Sequence, residues 1–385
     1  MSTPRTYLDW NATAPLHPAA RAAMLAALDI TGNPSSPHAE GRRARSLLET
    51  ARESVAQALG ASARSVYFTS GATEAANWML QPGRASAPAY EALLVSATEH
   101  ACVLAGHRFA PDQVHTLAVD GEGRVDVAAL AQDVALLTAQ HGKGRVLVAV
   151  QSANNETGVL QPIEQIAAAI AEVGAVLVCD GVQTIGRGFA LPPAHAVFLS
   201  AHKLGGPKGI GALVVPDEAH LPATFIRGCG QERRQRSGTE NIIGASGFAA
   251  ALAAVIRDGA SFVTHTGSLQ HRIETGLRDI DPQTRVFGAG ADRLPNTTAF
   301  ATPGVTSETA LVAMDLAGVA LSSGSACSSC KVAASHVLAA MGVPAEIARG
   351  GLRLSTGLAT TAADVERFLD AWSQFLARRA HRAVA

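Results

Sequence analysis

Short, continuously apolar runs alternate with longer segments of helical pattern from about residue 64 onward. The apolar runs predict strands at residues 65–69, 93–97, 146–151, 175–180, 196–200 and 212–215. Ala-rich segments between them, such as 127–140 and 163–173, predict helices. Strands that are apolar throughout and alternate with helices are typical of a parallel sheet covered on both faces. We therefore predict an α/β fold that binds its ligand at the carboxyl ends of the strands.

The pattern changes past about residue 260, where loops with Gly and Pro separate less regular elements. Two helices are predicted in this part, near residues 335–341 and 362–379. The N-terminal residues Tyr7-Leu8-Asp9 predict a short strand that joins it. The sequence thus predicts a large domain at residues 14–258 and a small α+β domain made of residues 1–13 and 259–385.

The composition is that of a soluble enzyme, since 48% of the 385 residues are hydrophobic and 16% are charged. The net charge of −1 gives no global field that would attract nucleic acid or an anionic membrane, so neither is expected as a partner. The N-terminus lacks the apolar core of a signal peptide, and the apolar runs are too short to cross a bilayer. We expect a cytoplasmic protein.

Five cysteines are present, Cys102, Cys179, Cys229, Cys327 and Cys330. An odd, sparse set in a chain of this length does not indicate a disulfide framework. Cys179 ends an apolar run and is predicted to be a small core residue, as is Cys102. Cys327 and Cys330 form a C-x-x-C pair, but no second ligand pair accompanies it, so we predict no metal site.

A candidate phosphate site follows the first strand of the predicted sheet, in Thr69-Ser70-Gly71-Ala72-Thr73-Glu74. Here the strand runs through a glycine into a helix. Backbone N–H groups at a helix N-terminus, together with the Thr73 hydroxyl, suit an anion. Taken alone, the motif is equally well explained as a turn with a helix cap.

Three further motifs with ionisable groups lie just after strands. Asp180 closes an apolar strand, where a carboxylate is costly unless it meets a cation such as a protonated pyridine nitrogen; a helix-capping role is the alternative. Lys203, in Ser200-Ala201-His202-Lys203, can become desolvated and form a Schiff base, although most lysines are simply solvated. The Gly-rich residues 205–209 after it do not fit a nucleotide-binding loop. His100 could stack on a flat ring and carry protons, or it could be structural.

In combination, the motifs resemble the cysteine desulfurases of the NifS/IscS type, within the class V aminotransferase group of fold-type I pyridoxal-phosphate enzymes. The resemblance covers nearly the whole chain. It extends over Tyr7-Leu8-Asp9, Gly32-Asn33-Pro34-Ser35-Ser36, residues 69–77, Glu99-His100, residues 154–158, Asp180 and Gln183, residues 200–211, residues 236–239 and residues 322–327. It implies pyridoxal 5'-phosphate as cofactor, L-cysteine as substrate and a homodimer as the active form.

The resemblance also implies roles for individual residues. Lys203 would carry the cofactor as a Schiff base, and Asp180 would pair with its pyridine nitrogen. Gln183 would hydrogen-bond the phenolic oxygen, and His100 would stack on the ring. The phosphate would be held by Thr73, Ser200 and His202, with Ala72 and Asn155 also in the cofactor site and Thr239 reaching the phosphate of the neighbouring subunit. The substrate would be faced by Asn33, Asn155 and Arg353, with Arg353 forking onto its carboxylate.

The segment 322–330 is small and polar, unlike the surroundings of a core cysteine. A thiol on such a loop can approach a bound substrate and then withdraw, although a surface loop with incidental cysteines fits the same pattern. The resemblance implies that Cys327 takes the sulfur of L-cysteine as a persulfide and that L-alanine is released. His100 and Lys203 would carry the protons. The sulfur would pass to an acceptor or scaffold protein for iron–sulfur cluster assembly or other sulfur trafficking.

Some alternatives and departures stay open. The rival functions are a selenocysteine lyase or another class V pyridoxal enzyme, such as an aminotransferase that would not require Cys327. A catalytically silent docking protein is disfavoured, since Lys203 and Cys327 are both retained. Cys330 could form a regulatory disulfide or relay sulfur, and Cys229 stands where the family pattern leads us to expect glycine. The chain ends soon after Arg379, without the longer tail with which some members dock a scaffold protein, so the acceptor is open.

Overall fold

The computed structural model of the protein describes residues 5–324 and 335–384, with side chains up to residue 379. Its strands are β1 Thr6–Tyr7, β2 Val66–Thr69, β3 Ala92–Ser96, β4 Val114–Leu117, β5 Val146–Ala149, β6 Val176–Asp180, β7 Ala196–Ser200, β8 Gly211–Val214, β9 Arg285–Val286, β10 Thr297–Ala301, β11 Val319–Ala320, β12 Ser322–Ser323 and β13 Leu352–Ser355. Its helices are α1 Pro18–Leu28, α2 Ala39–Leu59, α3 Ala72–Met79, α4 Ala101–Leu104, α5 Val127–His141, α6 Ile163–Val173, α7 Ile242–Arg257, α8 Gly259–Ile280, α9 Ser307–Leu316, α10 His336–Ala340, α11 Ala345–Ala348 and α12 Ala362–Val384.

Seven strands form the main sheet, in the order β2-β8-β7-β6-β5-β3-β4. The pairs from β7 through β4 are parallel, and only β8 runs against both of its neighbours. This arrangement confirms the predicted α/β fold with a mainly parallel sheet. The strands β5 and β7 are buried at every position, because helices cover both faces of the sheet.

Alternate strand residues point into two separate cores. On one face, Leu94 and Val148 pack with helices α2, α5, α6 and α7. On the other face, Leu93 and Leu147 pack with α3. Since the core holds both faces of the sheet, the carboxyl ends of β2, β3, β5, β6 and β7 are fixed at one edge, where the polar motifs follow them.

A second sheet of four antiparallel strands, in the order β12-β13-β10-β9, lies within the last part of the chain. Helices α8, α9 and α12 cover it, and Phe300 meets the ring of Trp372 edge-on at 5.4 Å between centroids. Near the N-terminus, β1 pairs in parallel with β11. This pairing supports our proposal that residues 1–13 belong with the second domain, while the exact division stays a prediction.

Helix α8 is the main element that the sequence analysis missed, since it expected less regular structure past residue 260. Its buried positions Phe262, Thr266, Leu269, Ile273 and Leu277 follow helical spacing. The rest of its 22 residues are largely polar or small. The apolar positions that would predict this helix from sequence therefore form only a narrow stripe.

Within the described ranges, no single helix has the length and apolar character to cross a membrane. The pair α7 and α8 passes that test only when the two are counted together across a bend of 70°.

Candidate functional site

A cavity of about 500 Å³ opens at the carboxyl edge of the main sheet. It collects most of the residues that the sequence analysis singled out. Its walls include Ala72, Thr73, His100, Asn155, Asp180, Gln183, Ser200, His202 and Lys203. They come from five different strand ends, so the parallel sheet brings together residues more than 100 positions apart in sequence.

Asp180 ends β6 and faces the cavity. Its Oδ1 accepts a hydrogen bond of 2.8 Å from the Val182 N–H. Protein atoms surround the carboxyl even though the side chain reaches the cavity, and this burial raises its pKa to about 6, against the opposing effects of the Val182 N–H and Lys203. A desolvated carboxylate of this kind is suited to a cationic ligand group.

Gln183 lies one turn beyond Asp180 with an unsatisfied polar atom. Its Oε1 is buried and has no hydrogen-bond partner among the described residues, while Nε2 contacts the Asn11 carbonyl oxygen at 3.4 Å. The Asn11 carbonyl oxygen can pair only with a donor, so it fixes Nε2 on that side and leaves Oε1 to accept a hydrogen bond from a ligand.

The other end of the cavity is suited to an anion. Helix α3 begins at Ala72, so its first N–H groups have no partner within the helix. The His202 Nδ1 lies 3.0 Å from the Thr13 hydroxyl. Burial, with Lys203 and Lys208 nearby, lowers the pKa of His202 to about 4, so the ring is neutral at neutral pH. A neutral imidazole can donate one hydrogen bond to an anion without the desolvation cost of a buried charge.

His100 and Lys203 lie between these two ends. The His100 Nδ1 accepts from the Cys102 N–H at 3.1 Å and so caps α4, which places the ring proton on Nε2. Burial is the main cause that lowers the His100 pKa, and Lys203 and His336 add to it. The Lys203 Nζ donates to the Asn11 carbonyl oxygen at 2.6 Å.

Arg353 lies on β13 beside the cavity wall. Its Nη2 forms an ion pair of 2.7 Å with Asp9, and its Nη1 donates to the Asn155 carbonyl oxygen at 2.9 Å. Its Nε is buried without a partner in the described parts of the chain. The structure thus joins the predicted substrate residues Arg353 and Asn155, and it adds Asp9 as a counter-ion that competes for the guanidinium.

Apart from Arg353, which lies beside the wall, two predicted site residues of the described chain lie outside this cavity. Asn33 is exposed, and its Oδ1 accepts from the Ser35 N–H at 2.9 Å. Thr239 is exposed and lines a separate cavity of about 110 Å³. Its predicted role involves a neighbouring subunit, so it stays a prediction. Cys327 and Cys330 lie outside the described residues.

The other cysteines differ in their surroundings. Cys179 is fully buried in the core, as predicted. Cys102 packs against the core but also lines the cavity, so its description as a core residue is only half right. Burial raises the pKa of the Cys102 thiol, with Asp180 and Glu99 adding to the effect, so this thiol is a poor nucleophile. Cys229 is exposed.

Asn11 was missed by the sequence analysis although it is central to the site. The residue is 1% exposed, and its side chain joins Arg187, Asn296 and Thr297. The one signal in the sequence is that Asn11 lies two positions after the Tyr7-Leu8-Asp9 motif, which does not by itself distinguish a buried polar residue from an exposed one. No group of three or more His, Cys, Asp or Glu side chains within residues 5–324 and 335–384 is placed to hold a metal ion.

The chain belongs to the class-V aminotransferase family, whose sequence profile matches residues 6–368. It is 40% identical over 384 residues to a cysteine desulfurase of Cereibacter sphaeroides, covering 95% of this chain and 94% of that protein. Its structure is similar to that of a NifS-like protein of Rickettsia africae, with a TM-score of 0.86, 32% identity, and coverage of 96% of this chain and 99% of the other. A solved structure of SspA in complex with cysteine also matches, with a TM-score of 0.73, 25% identity, and coverage of 91% and 99%.

These comparisons confirm the family predicted from the sequence motifs, together with its cofactor, since the family is pyridoxal-phosphate dependent. The residues of the cavity fit this cofactor. The desolvated Asp180 suits a pyridinium nitrogen, and the buried Gln183 amide suits a ring substituent. The N-terminus of α3 and the neutral His202 suit a phosphate.

Proposed function

We propose that the protein is a pyridoxal-phosphate-dependent cysteine desulfurase that converts L-cysteine to L-alanine and transfers the sulfur to Cys327. The observation that carries the proposal is a cavity lined by Lys203 and Asp180, with Arg353 beside its wall through a hydrogen bond to the Asn155 carbonyl oxygen. This chemistry requires three groups. They are an amine that can bind an aldehyde, a carboxylate that pairs with a ring nitrogen, and a guanidinium that binds the carboxylate of an amino acid. The named cysteine desulfurase relative supports the same substrate and disfavours the alternative of a selenocysteine lyase.

Different residues would bind different parts of the cofactor and the substrate. Lys203 would hold the cofactor, Asp180 and Gln183 would fix its ring, and Ala72, Thr73, Ser200 and His202 would surround its phosphate. Pyridoxal phosphate, when bound, supplies electron withdrawal from the α-carbon of an attached amino acid. Arg353 would turn from Asp9 to the substrate carboxylate, because both carboxylates compete for the same fork.

The proposed sulfur transfer balances without an external oxidant. The Cys327 thiolate attacks the substrate sulfur, an S–S bond forms, and the C–S bond breaks with its electrons going to the carbon side. Protonation of that carbon gives alanine, and the products are alanine and the Cys327 persulfide. His100 is suited to proton transfer through Nε2, because burial keeps its ring neutral and Nδ1 is held by the Cys102 N–H.

A homodimer, a sulfur-acceptor or iron–sulfur scaffold partner and a cytoplasmic location belong to the same proposal. The exposed Thr239 supports the dimer, since a residue meant to reach the phosphate of a neighbouring subunit has to lie on the surface of its own.

The deciding experiment is Cys327→Ala, with Cys330→Ala as the matched control. Cys327→Ala should keep the visible cofactor absorbance and its change on addition of L-cysteine, because neither needs the thiol. It should form essentially no alanine and no sulfide, whereas Cys330→Ala should form both. Alanine and sulfide are quantified in pairs, with dithiothreitol present. Equal alanine formation by Cys327→Ala and the wild type would remove Cys327 from the reaction and point to another class V activity.

A further inference from the structure

A second cavity, of about 340 Å³, lies on the other side of the N-terminal segment from the cofactor cavity. The two sets of lining residues share only Lys203. Most of its wall is apolar and consists of Trp10, Pro15, Leu16, Val255, Phe262 and Leu358. Cavities of this size and lining are typical of small-molecule sites.

Polar side chains also line this wall, among them the cations Arg187 and Lys203, and Arg187 is only 4% exposed. Its Nη1 donates to the Asn11 Oδ1 at 2.8 Å, and that oxygen also accepts from the Asn296 Nδ2 at 3.1 Å. No carboxylate forms an ion pair with Arg187 among the described residues. The nearby charge is a second cation, Arg353, whose own carboxylate partner is Asp9.

Burial and the neighbouring Arg353 lower the pKa of Arg187 to about 9. A guanidinium does not give up its proton under physiological conditions, so the shift reflects a charge that lacks a compensating anion. An unpaired buried cation is costly, and a bound anion would remove that cost.

Thr356 supplies an independent sign of a missing ligand at the same cavity. The residue is 1% exposed, it lines the cavity, and its Oγ1 has no hydrogen-bond partner among the described residues. Buried hydroxyl groups in native proteins normally have a partner. The turn that carries it is fixed, because Gly357 packs against the Trp10 ring so closely that a side chain at 357 would collide with it.

We propose that this cavity is a binding site for a small carboxylate with an apolar tail, separate from the cofactor and substrate site. The carboxylate receives N–H donors from Arg187 and the hydroxyl of Thr356, and the tail lies against Trp10 and Phe262. A strongly hydrated phosphate is disfavoured by the apolar wall. A carboxylate carries one charge, which matches the single uncompensated guanidinium.

The test titrates phenylacetate into the holoenzyme, with phenylacetamide as the neutral isostere. Binding is followed by calorimetry and by tryptophan fluorescence. Of the three tryptophans, Trp10 lines the cavity and is half-buried, while Trp78 and Trp372 are fully buried elsewhere. Saturable binding with a fluorescence change is expected for the acid. The amide should bind at least about tenfold more weakly, since charge-assisted hydrogen bonds are lost.

Variants assign the binding to the cavity. Arg187→Met should weaken phenylacetate binding by at least about tenfold, and Arg187→Lys by less, because the charge is kept without the fork. Trp10→Phe should keep the heat of binding but lose the fluorescence change. Thr356→Val tests the site without altering a charge and should weaken binding several-fold. Arg64→Met, at an exposed arginine elsewhere, is the matched control.

Three results would overturn the inference. The first is equal binding of acid and amide. The second is unchanged affinity in both Arg187→Met and Thr356→Val. The third is binding that L-cysteine displaces and that Arg353→Met abolishes, since phenylacetate would then occupy the substrate site only. None of these readouts depends on the desulfurase activity, so the inference and the proposed function can fail separately.

Discussion

Glu156 offers a sharp physical test of the structure. The residue is 5% exposed and lies between the two residues that flank the segment containing Cys327. The Ser335 hydroxyl donates a hydrogen bond to the Glu156 Oε2, and a side chain at Gly324 would collide with the same oxygen. One buried carboxyl therefore contacts the chain just before and just after residues 325–334.

The expected energy follows from the pKa of this carboxyl. Burial raises the pKa from 4.5 to about 7, although Ser335 and Arg353 act in the opposite direction. Between these two pH values the folded protein holds a proton that the unfolded chain has released. Stability therefore falls as pH rises through this window. The difference between 4.5 and about 7, at about 1.4 kcal/mol per unit, corresponds to about 3 kcal/mol.

The perturbation is Glu156→Gln, which keeps the size and a carbonyl acceptor for Ser335 but cannot ionise. At pH 5 the group is neutral in both folded proteins and ionises only in the unfolded wild type, so the variant should be more stable by no more than about 1 kcal/mol. At pH 8 the wild type carries a buried carboxylate, so the variant should be the more stable by up to about 3 kcal/mol.

The assay is urea unfolding of the holoenzyme at both pH values, comparing each variant with the wild type so that other titrating groups cancel. Glu164→Gln, at an exposed position of α6, is the matched control. A Glu156→Gln difference that is the same at pH 5 and pH 8 would refute the assignment of a raised pKa to this carboxyl.

Three further predictions concern the cofactor, the core and the assembly. Lys203→Ala should abolish the visible cofactor absorbance, while Lys143→Ala, at an exposed lysine, should not; unchanged absorbance in the first would mean that another lysine binds the cofactor. Arg52→Met should lower the free energy of unfolding by about 3–5 kcal/mol in urea titrations, because it strands the buried Glu232 that Arg52 binds at 2.7 and 2.8 Å; a loss below 1 kcal/mol would contradict the pairing. Sedimentation should give a homodimer, and mixing a Lys203→Ala subunit with a Thr239→Ala subunit should restore part of the activity; an active monomer would exclude shared sites.

The central strands could be predicted from the sequence because their signal is local. The interiors of β5, β6 and β7 are continuous apolar runs, and α6 has the predicted bounds. Strand β4 was missed, since its sequence Val-His-Thr-Leu is short and half polar and lies at the edge of the sheet. Only Leu117 of its four residues is buried, so hydrophobicity marks this strand weakly.

The site shows the same division between local and spatial information. Asp180 and Lys203 could be singled out, because an ionisable residue directly after a buried strand is unusual in the sequence itself. Arg187 and Asn11 could not, since their importance lies in one hydrogen bond between residues 176 positions apart. A buried arginine and a surface arginine are indistinguishable in sequence until the fold places them.

At both cavities burial shifts the pKa values of ionisable groups, and the direction of the shift is opposite for acids and bases. Burial makes the charged form costly in either case, so it raises the pKa of Asp180 and lowers the pKa of His202. A ligand of opposite charge, or one with matching hydrogen bonds, offsets the cost of burying these groups. The family's cofactor would be such a ligand. Arg187 cannot lower its cost by losing a proton, because a guanidinium stays charged. The same reasoning that fits the cofactor to the first cavity therefore supports the anion that we propose for the second.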